Sequence, residues 1–294
     1  MRAARRFCLV AAVAVLGGLL GGGPAVASGT RYLDPVFSSV TVTHDVVYGA
    51  ATNNLGELQE LTLDLYEPAG DTASSRPAIV LAHGGGFTGG AKDDAFIVSL
   101  ASRFAQRGYV TASISYRIRP AGTPGSPTFF DLVVGSLAGS LPDAMHDAQY
   151  DMQAAVRWFR ANAKTLRVDP SAIVVAGFSA GANMALETAF NPEDPGDSGT
   201  PGVPSDVSAA VSISGGADLR RIETPPPPVA MFNGTHDTTA PYPVAIETCA
   251  GIIVHAGVCS LTTYLQGEHD LSPQEGDILL RTAAFLCRQV VTCS

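Results

Sequence analysis

Ser179 stands between two glycines in Gly177-Phe178-Ser179-Ala180-Gly181, where the apolar run Ile173-Val174-Val175-Ala176 gives way to the helix-like Asn183-Met184-Ala185-Leu186-Glu187. A serine on so sharp a strand-to-helix turn is crowded by backbone. The positions two before and two after it must therefore be small, and the turn lifts its hydroxyl clear of the sheet. Such a hydroxyl attacks a carbonyl carbon when a base takes its proton, a carboxylate orients the base and N–H donors receive the charge on the carbonyl oxygen. Gly-x-Ser-x-Gly alone is common by chance, so its partners decide the reading.

Those partners are present and in order. His269, in Gly267-Glu268-His269-Asp270, follows a strand-like run near the C-terminus, where a loop brings an imidazole over a sheet edge. Asp237, in Asn233-Gly234-Thr235-His236-Asp237, follows the preceding strand-like run. The order serine, acid, histidine is the one used with a strand-to-helix nucleophile. Each has a bland alternative: Asp237 caps the next helix, and His269 is a surface histidine. Asp270 adjoins the histidine and reaches Nδ1 poorly, because adjacent side chains on an extended segment diverge. Asp218, after Ser214-Gly215-Gly216-Ala217, is the rival acid, and chain order favours Asp237 over it. For the developing oxyanion, the N–H of Ala180 opens the helix after the serine. The glycines of His83-Gly84-Gly85-Gly86 let the N–H groups of Gly85 and Gly86 approach the same point. A phosphate-cradling loop is the competing use of such glycines, but the lysine and hydroxyl of a P-loop are missing. His83 reads as a brace for this loop, and His44, His146, His236 and His255 take no assignable role.

The elements that hold these residues read as follows. Val40–Tyr48 and Leu58–Tyr66 alternate apolar and polar residues around Asn53-Asn54-Leu55-Gly56, an antiparallel hairpin at a sheet edge. Pro77–Ala82 is continuously apolar, as a strand covered on both faces must be. A helix over Ala95–Arg107 and a strand over Tyr109–Tyr116 follow. Pro142–Ala163 is the strongest helix, with Ala148, Met152, Ala155, Val156 and Phe159 on one stripe. Its Asp143, Asp147 and Asp151 read as carboxylates favoured by the positive end of the helix rather than as a metal-binding row. After Ser179 come strands over Val207–Ser214, Val229–Asn233 and Ser260–Leu265, with helices over Tyr242–Ala256 and Gln274–Val290. This alternation specifies an α/β fold, with a mostly parallel central sheet, an N-terminal antiparallel hairpin and helices on both faces. Ligands of such sheets bind beyond the carboxyl ends of the strands, where both glycine motifs fall.

Two connections are long. Ile118–Leu141 carries Phe129, Phe130, Leu132, Val133, Val134 and Leu137 and reads as a partial lid or wall over an acyl pocket. Asn191–Asp206, rich in Pro, Gly and Asp, reads as a flexible connection without calcium-loop spacing. The sequon Asn233-Gly234-Thr235 sits at a strand end beside the presumed site and is discounted.

Composition sets the compartment. Arg2, Arg5 and Arg6 precede an apolar run from Phe7 to Leu20, and Ala25-Val26-Ala27 follows. Residues 1–27 are expected to be a signal peptide and 28–294 one catalytic domain, since an apolar run of about 14 residues is too short to span a bilayer. Of 294 residues, 27 are acidic and 18 basic, a formal charge of −9 that makes nucleic acid a poor partner. Beyond Cys8, the even set Cys249, Cys259, Cys287 and Cys293 suits an oxidising compartment. The sequence-near pairings Cys249–Cys259 and Cys287–Cys293 are expected; no histidine or acid stands at zinc-like spacing around them.

His83–Phe87, Gly177–Gly181, Asp237 and His269 resemble the α/β-hydrolase superfamily, specifically secreted bacterial carboxylesterases akin to the hormone-sensitive-lipase group. The resemblance runs from about Leu61 to Leu286. It implies a serine esterase with no cofactor, whose triad maps to Ser179, Asp237 and His269 and whose oxyanion hole maps to Gly85, Gly86 and Ala180. That group usually has an acidic residue where this chain has Phe178, and it carries a helical N-terminal cap that the hairpin does not resemble. The expectation is an exported, extracellular or periplasmic esterase without a stable membrane anchor, acting on small-molecule or polymer-borne esters of short or aromatic acyl groups. A lipase or polyester hydrolase is the alternative within the class. A non-catalytic binding protein of the same fold is the alternative outside it, although such proteins typically lose the serine or the histidine.

Overall fold

The computed structural model describes residues 29–127, 142–192, 196–217, 219–222 and 225–293. The signal-peptide reading of residues 1–27, residues 128–141 of the expected lid, and Asp218 lie outside the described residues.

The central parallel strands are built from runs that carry no polar alternation, and the sheet shows why. In β3 (Arg76–Ala82) every residue is buried, yet the side chains divide by period two. Ala78, Val80 and Ala82 face one core, and Ile79 and Leu81 face the other. The same division holds in β5 (Val168–Phe178), with Ile173 and Val175 on the first side and Val174 and Ala176 on the second. A strand covered on both faces has no wet side, so a hydrophobic run is what it requires.

Among the described residues the sheet has eight strands in the order β1-β2-β4-β3-β5-β6-β7-β8. The remaining strands are β1 (Val40–Thr52), β2 (Leu58–Pro68), β4 (Val110–Ile114), β6 (Ala209–Ile213), β7 (Val229–Gly234) and β8 (Cys259–Tyr264). The hairpin β1–β2 is antiparallel, β2 joins β4 antiparallel, and every later pairing is parallel. The first face is covered by α2 (Asp143–Ala161), α4 (Ala180–Phe190) and α5 (Tyr242–Val254), the second by α1 (Ala95–Ala105) and α6 (Glu275–Gln289); a single turn, α3 (Ala163–Leu166), follows α2. The stripe Ala148, Met152, Ala155, Val156 and Phe159 of α2 is fully buried in the first core. Each large side chain so buried contributes about 1.5–3 kcal/mol relative to exposure. The Asp94 carboxylate starts α1 by accepting the N–H groups of Phe96 and Ile97.

Two expectations are corrected. The acidic row of α2 serves arginines, not the helix end. Asp151 is fully buried and takes the Arg117 backbone N–H at 2.6 Å and its Nε at 3.0 Å, while Asp147 receives Arg119 at 2.7 Å and Asp143 receives it at 3.2 Å. Only Asp143 stands in the first turn, where the partial positive charge is felt. Nor is the stretch around Ser198 a loose connection. Ser198 is fully buried, its hydroxyl bonds Asp151 and Arg117, and Arg157 donates to the Gly199 carbonyl. Buried arginines need several acceptors at once, and carbonyls of an irregular segment supply them where a helix cannot.

Cys249 is bonded to Cys259, tying α5 to β8, and Cys287 to Cys293, closing the end of α6; both pairs have Cα atoms 5.5 Å apart. Among the described residues no helix is long and apolar enough to cross a membrane.

Candidate active site

Five parallel strands end on one edge of the sheet, and each hands its next residues to the same point: Gly84 to Gly86 from β3, Ser179 from β5, Ser214 from β6, Asp237 from β7 and His269 from β8. Ser179 has φ 55° and ψ −118°, a backbone state that a non-glycine residue adopts only where its surroundings enforce it. The enforcement is visible in its neighbours. A Cβ on Gly177 would run into the Gly181 backbone, and one on Gly181 into the carbonyls of Ala82 and His83. The Ser179 N–H is held by the Ile213 carbonyl at 2.9 Å, and the Ser179 carbonyl accepts the Ala182 N–H to begin α4.

The hydroxyl meets an imidazole. Ser179 Oγ lies 2.8 Å from His269 Nε2, and His269 Nδ1 lies 2.9 Å from Asp237 Oδ2. A carboxylate only accepts, so Nδ1 carries the proton and Nε2 accepts from the serine. The Asp237 side chain is fully buried and the His269 side chain 24% exposed, which leaves the imidazole reachable from solvent and its acid sealed. The other oxygen, Oδ1, takes the N–H groups of Thr239 and Ala240, both at 2.8 Å. The two uses that compete for Asp237 in the sequence, turn cap and histidine partner, are thus served by one oxygen each. Asp270 is spent elsewhere, accepting the Ser272 N–H at 2.8 Å.

The glycine loop is shaped by residues behind it. Gly85 has φ 118°, and a Cβ there would collide with the Gly89 carbonyl. His83 is buried beneath the loop, stacked on Tyr116 at 4.2 Å, and its Nδ1–H donates to the Gly84 carbonyl at 2.6 Å. Burial pushes the His83 imidazole below its ordinary pKa, with that hydrogen bond opposing, so it stays neutral as a brace. Burial likewise pushes the Tyr116 phenol well up, and its hydroxyl donates to the His83 carbonyl at 2.9 Å. Among the described residues, the N–H groups of Gly85, Gly86 and Ala180 donate to no protein acceptor. The Ala180 N–H is such a donor at a helix start, and those of Gly85 and Gly86 come from the open glycine loop; donors of this kind suit an anion.

Sequence reasoning missed several positioning residues. Ser214, at φ 55°, donates its hydroxyl to the His269 carbonyl at 2.8 Å. The loops bearing Asp237 and His269 are also joined directly, by His236 N–H to the Gly267 carbonyl at 2.8 Å and Gln266 N–H to Thr235 Oγ1 at 2.9 Å. In the sequence Ser214 is marked only as the last residue of a strand-like run, before Gly215-Gly216. Three of the remaining histidines have structural side-chain partners: His44 bonds Asp64, His255 the Gly251 carbonyl and His146 Arg221. The sequon asparagine, Asn233, is fully buried. Among the described residues no group of three or more His, Cys, Asp and Glu is placed to hold a metal ion.

Sheet order, the antiparallel first pair, helices on both faces and this convergence of strand ends define an α/β-hydrolase fold, of the kind found in esterases akin to the hormone-sensitive-lipase group. Esterase 2 of Thermogutta terrifontis, phosphorylated by paraoxon, superposes with a TM-score of 0.67 at 23% identity over 86% of this chain and 95% of that one. Its propionate-bound form gives the same TM-score at 22% identity, over 85% and 94%. The BD-FAE family model matches residues 63–126 and 140–230, more than half of the sequence, and the chain belongs to the BD-FAE family. Two curated proteins are similar over part of their length. A probable isoprenylcysteine alpha-carbonyl methylesterase, ICMEL1, of Oryza sativa subsp. japonica is 30% identical over 187 residues, 62% of this chain and 36% of that protein. A non-reducing polyketide synthase, atr1, of Stereocaulon alpinum is 28% identical over 198 residues, 65% of this chain and 7% of that protein. The chain therefore spans well under two thirds of either relative.

Proposed function

We propose that this protein is an exported serine carboxylesterase whose catalytic domain follows a cleaved signal peptide of residues 1–27. The observation that carries the reading is the unbroken line from Asp237 Oδ2 through His269 to Ser179 Oγ, at 2.9 and 2.8 Å, together with the N–H groups of Gly85, Gly86 and Ala180, which meet no acceptor among the described residues. Ser179 Oγ attacks the ester carbonyl carbon while His269 Nε2 takes its proton, and Asp237 steadies the imidazolium that forms. The N–H groups of Gly85, Gly86 and Ala180 bind the oxyanion. His269 then returns the proton to the departing alkoxide, leaving an acyl group on Ser179. Water, deprotonated by the same nitrogen, attacks the acyl carbon and frees the acid.

Two relatives carry esterase in their names, and Thermogutta esterase 2 has been obtained with propionate and with butyrate bound, which supports short acyl groups for this chain. Two disulfides suit an oxidising compartment, in keeping with export. The test is to treat the protein with paraoxon, map the adduct by peptide mass and follow hydrolysis of aryl esters of increasing acyl length. A single diethylphosphoryl group on Ser179, and loss of turnover by roughly 10³-fold or more in Ser179→Ala, are expected. An adduct on another residue of active protein overturns the assignment of the nucleophile. Preference for long chains replaces the short-acyl reading with that of a lipase, and folded protein that turns over no ester is a binding module.

A further inference from the structure

Phe178 precedes the nucleophile, and its ring is neither buried in the core nor free in solvent. Its centroid lies 5.3 Å from that of the His269 imidazole, the planes tilted by 39°. A Cβ on Gly84 would come within 2.9 Å of Phe178 Cδ1, so the ring also lies against the glycine loop. Phe178 thus fills the corner between the glycine loop and the base, directly beside Ser179. Phe96, the second residue of α1, continues the same aromatic surface. It meets Phe178 edge to face at 5.7 Å and 87° and is itself half-buried. Both rings pack on the second core without being sealed into it.

The direction of proton transfer says which half of an ester comes here. His269 takes a proton from Ser179 and must hand it to the leaving alkoxide, so the alcohol half lies on the imidazole's side of Ser179 Oγ. Phe178 is on that side, in contact with the imidazole. A half-exposed ring whose neighbour already stands edge-on to it offers remaining face and edge to a third ring, the arrangement that aromatic quadrupoles favour. We propose that Phe178 and Phe96 form an alcohol-side subsite for a flat aromatic alcohol moiety, an assignment that rests on the roles of Ser179 and His269 given above. Specificity for the leaving group then resides in described residues of β5 and α1, separately from whatever holds the acyl chain.

The experiment compares benzyl acetate with cyclohexylmethyl acetate, which share the acyl group and nearly the same size and differ in the flatness of the alcohol. Hydrolysis by the full-length protein, Phe178→Leu and Phe96→Leu is followed by titration of released acid. The native enzyme should favour the benzyl ester, and each leucine should cut kcat/KM for it by about two- to tenfold, mainly through KM, the range one aromatic contact supplies. The cyclohexylmethyl ester should change by less than about twofold, since leucine keeps the apolar surface. Equal losses on both esters would show that the ring only steadies His269 and overturn the subsite, as would no loss on either. If Phe178→Leu does not fold, Phe96→Leu decides alone, because its ring meets Phe178 and it is Phe178 that packs on His269. Turnover without discrimination sinks the subsite only, whereas folded native protein inactive on every ester sinks the hydrolase reading with it.

Discussion

Replacing Asp237 by asparagine isolates its effect on the imidazole from its effect on the fold. Oδ1 accepts two backbone N–H groups at 2.8 Å, and an amide oxygen accepts them equally well. The amide nitrogen must then take the place of Oδ2, 2.9 Å from His269 Nδ1. Being a donor, it forces Nδ1 to accept and moves the imidazole proton to Nε2, where it faces the Ser179 hydroxyl. The base is thereby lost without a change of shape. The expected cost is up to about 10⁴-fold in kcat, or roughly 5.4 kcal/mol of transition-state stabilisation, with the unfolding midpoint nearly unmoved. The assay is kcat on a short-chain aryl ester with urea unfolding in parallel, for Asp237→Asn beside Asp218→Asn. A loss below about tenfold in a folded Asp237→Asn would refute the tautomer argument, since reversing one proton position in a working relay costs far more than that. A large loss confined to Asp218→Asn would transfer the orienting role to Asp218.

Three further outcomes follow from contacts outside the relay. Ser214→Ala and Ser214→Gly both remove the bond to the His269 carbonyl, worth about 0.5–1.5 kcal/mol, so each should lower kcat by roughly two- to tenfold. Glycine also relieves φ 55° and should be the more stable of the two on urea unfolding; native kcat in the glycine variant would assign the effect to backbone strain instead. Asp151→Asn takes the fully buried carboxylate from Arg117, leaving it the longer pairs with Asp147 and Asp197, and should cost up to about 3–5 kcal/mol, whereas Asp143→Asn, on an exposed partner of Arg119, should cost under about 1 kcal/mol. Comparable urea midpoints for the two would contradict this. Burial alone would raise the Asp71 carboxyl, but hydrogen bonds from Arg31 and the Ala73 N–H outweigh it and hold Asp71 below the ordinary carboxylate range. A depressed folded pKa adds stability above the unfolded value of about 3.9 that is lost as pH falls through the folded one. Asp71→Asn should therefore destabilise the protein at pH 7 and flatten its acid limb, and an unchanged acid limb would count against the linkage.

What the sequence disclosed and what it withheld divide along one physical line. Strand interiors were legible because a doubly covered strand can only be apolar, and the turn at Ser179 was legible because only glycine fits at Gly177 and Gly181. In both cases local chemistry determines the residue, whatever the rest of the chain does. The Ser–Asp–His order was legible for a related reason, since parallel strands bring their ends to one edge in a sequence set by chain order. Ser214, Arg117 and Phe178 were withheld because nothing local requires them. Ser214 reaches across 55 positions to a carbonyl, a group every residue owns, so its partner leaves no mark in the sequence. The α2 carboxylates show how such contacts mislead. Spacings of four place Asp143, Asp147 and Asp151 on one helix face, which any exposed acidic row would also satisfy. What distinguishes Asp151 is a buried arginine 34 positions away, contributed by the segment after β4, and a helix dipole needs no such partner. The misreading therefore has a definite source: amphipathic spacing tells which face of α2 is polar, while the neighbour that makes a polar face interior comes from tertiary structure alone.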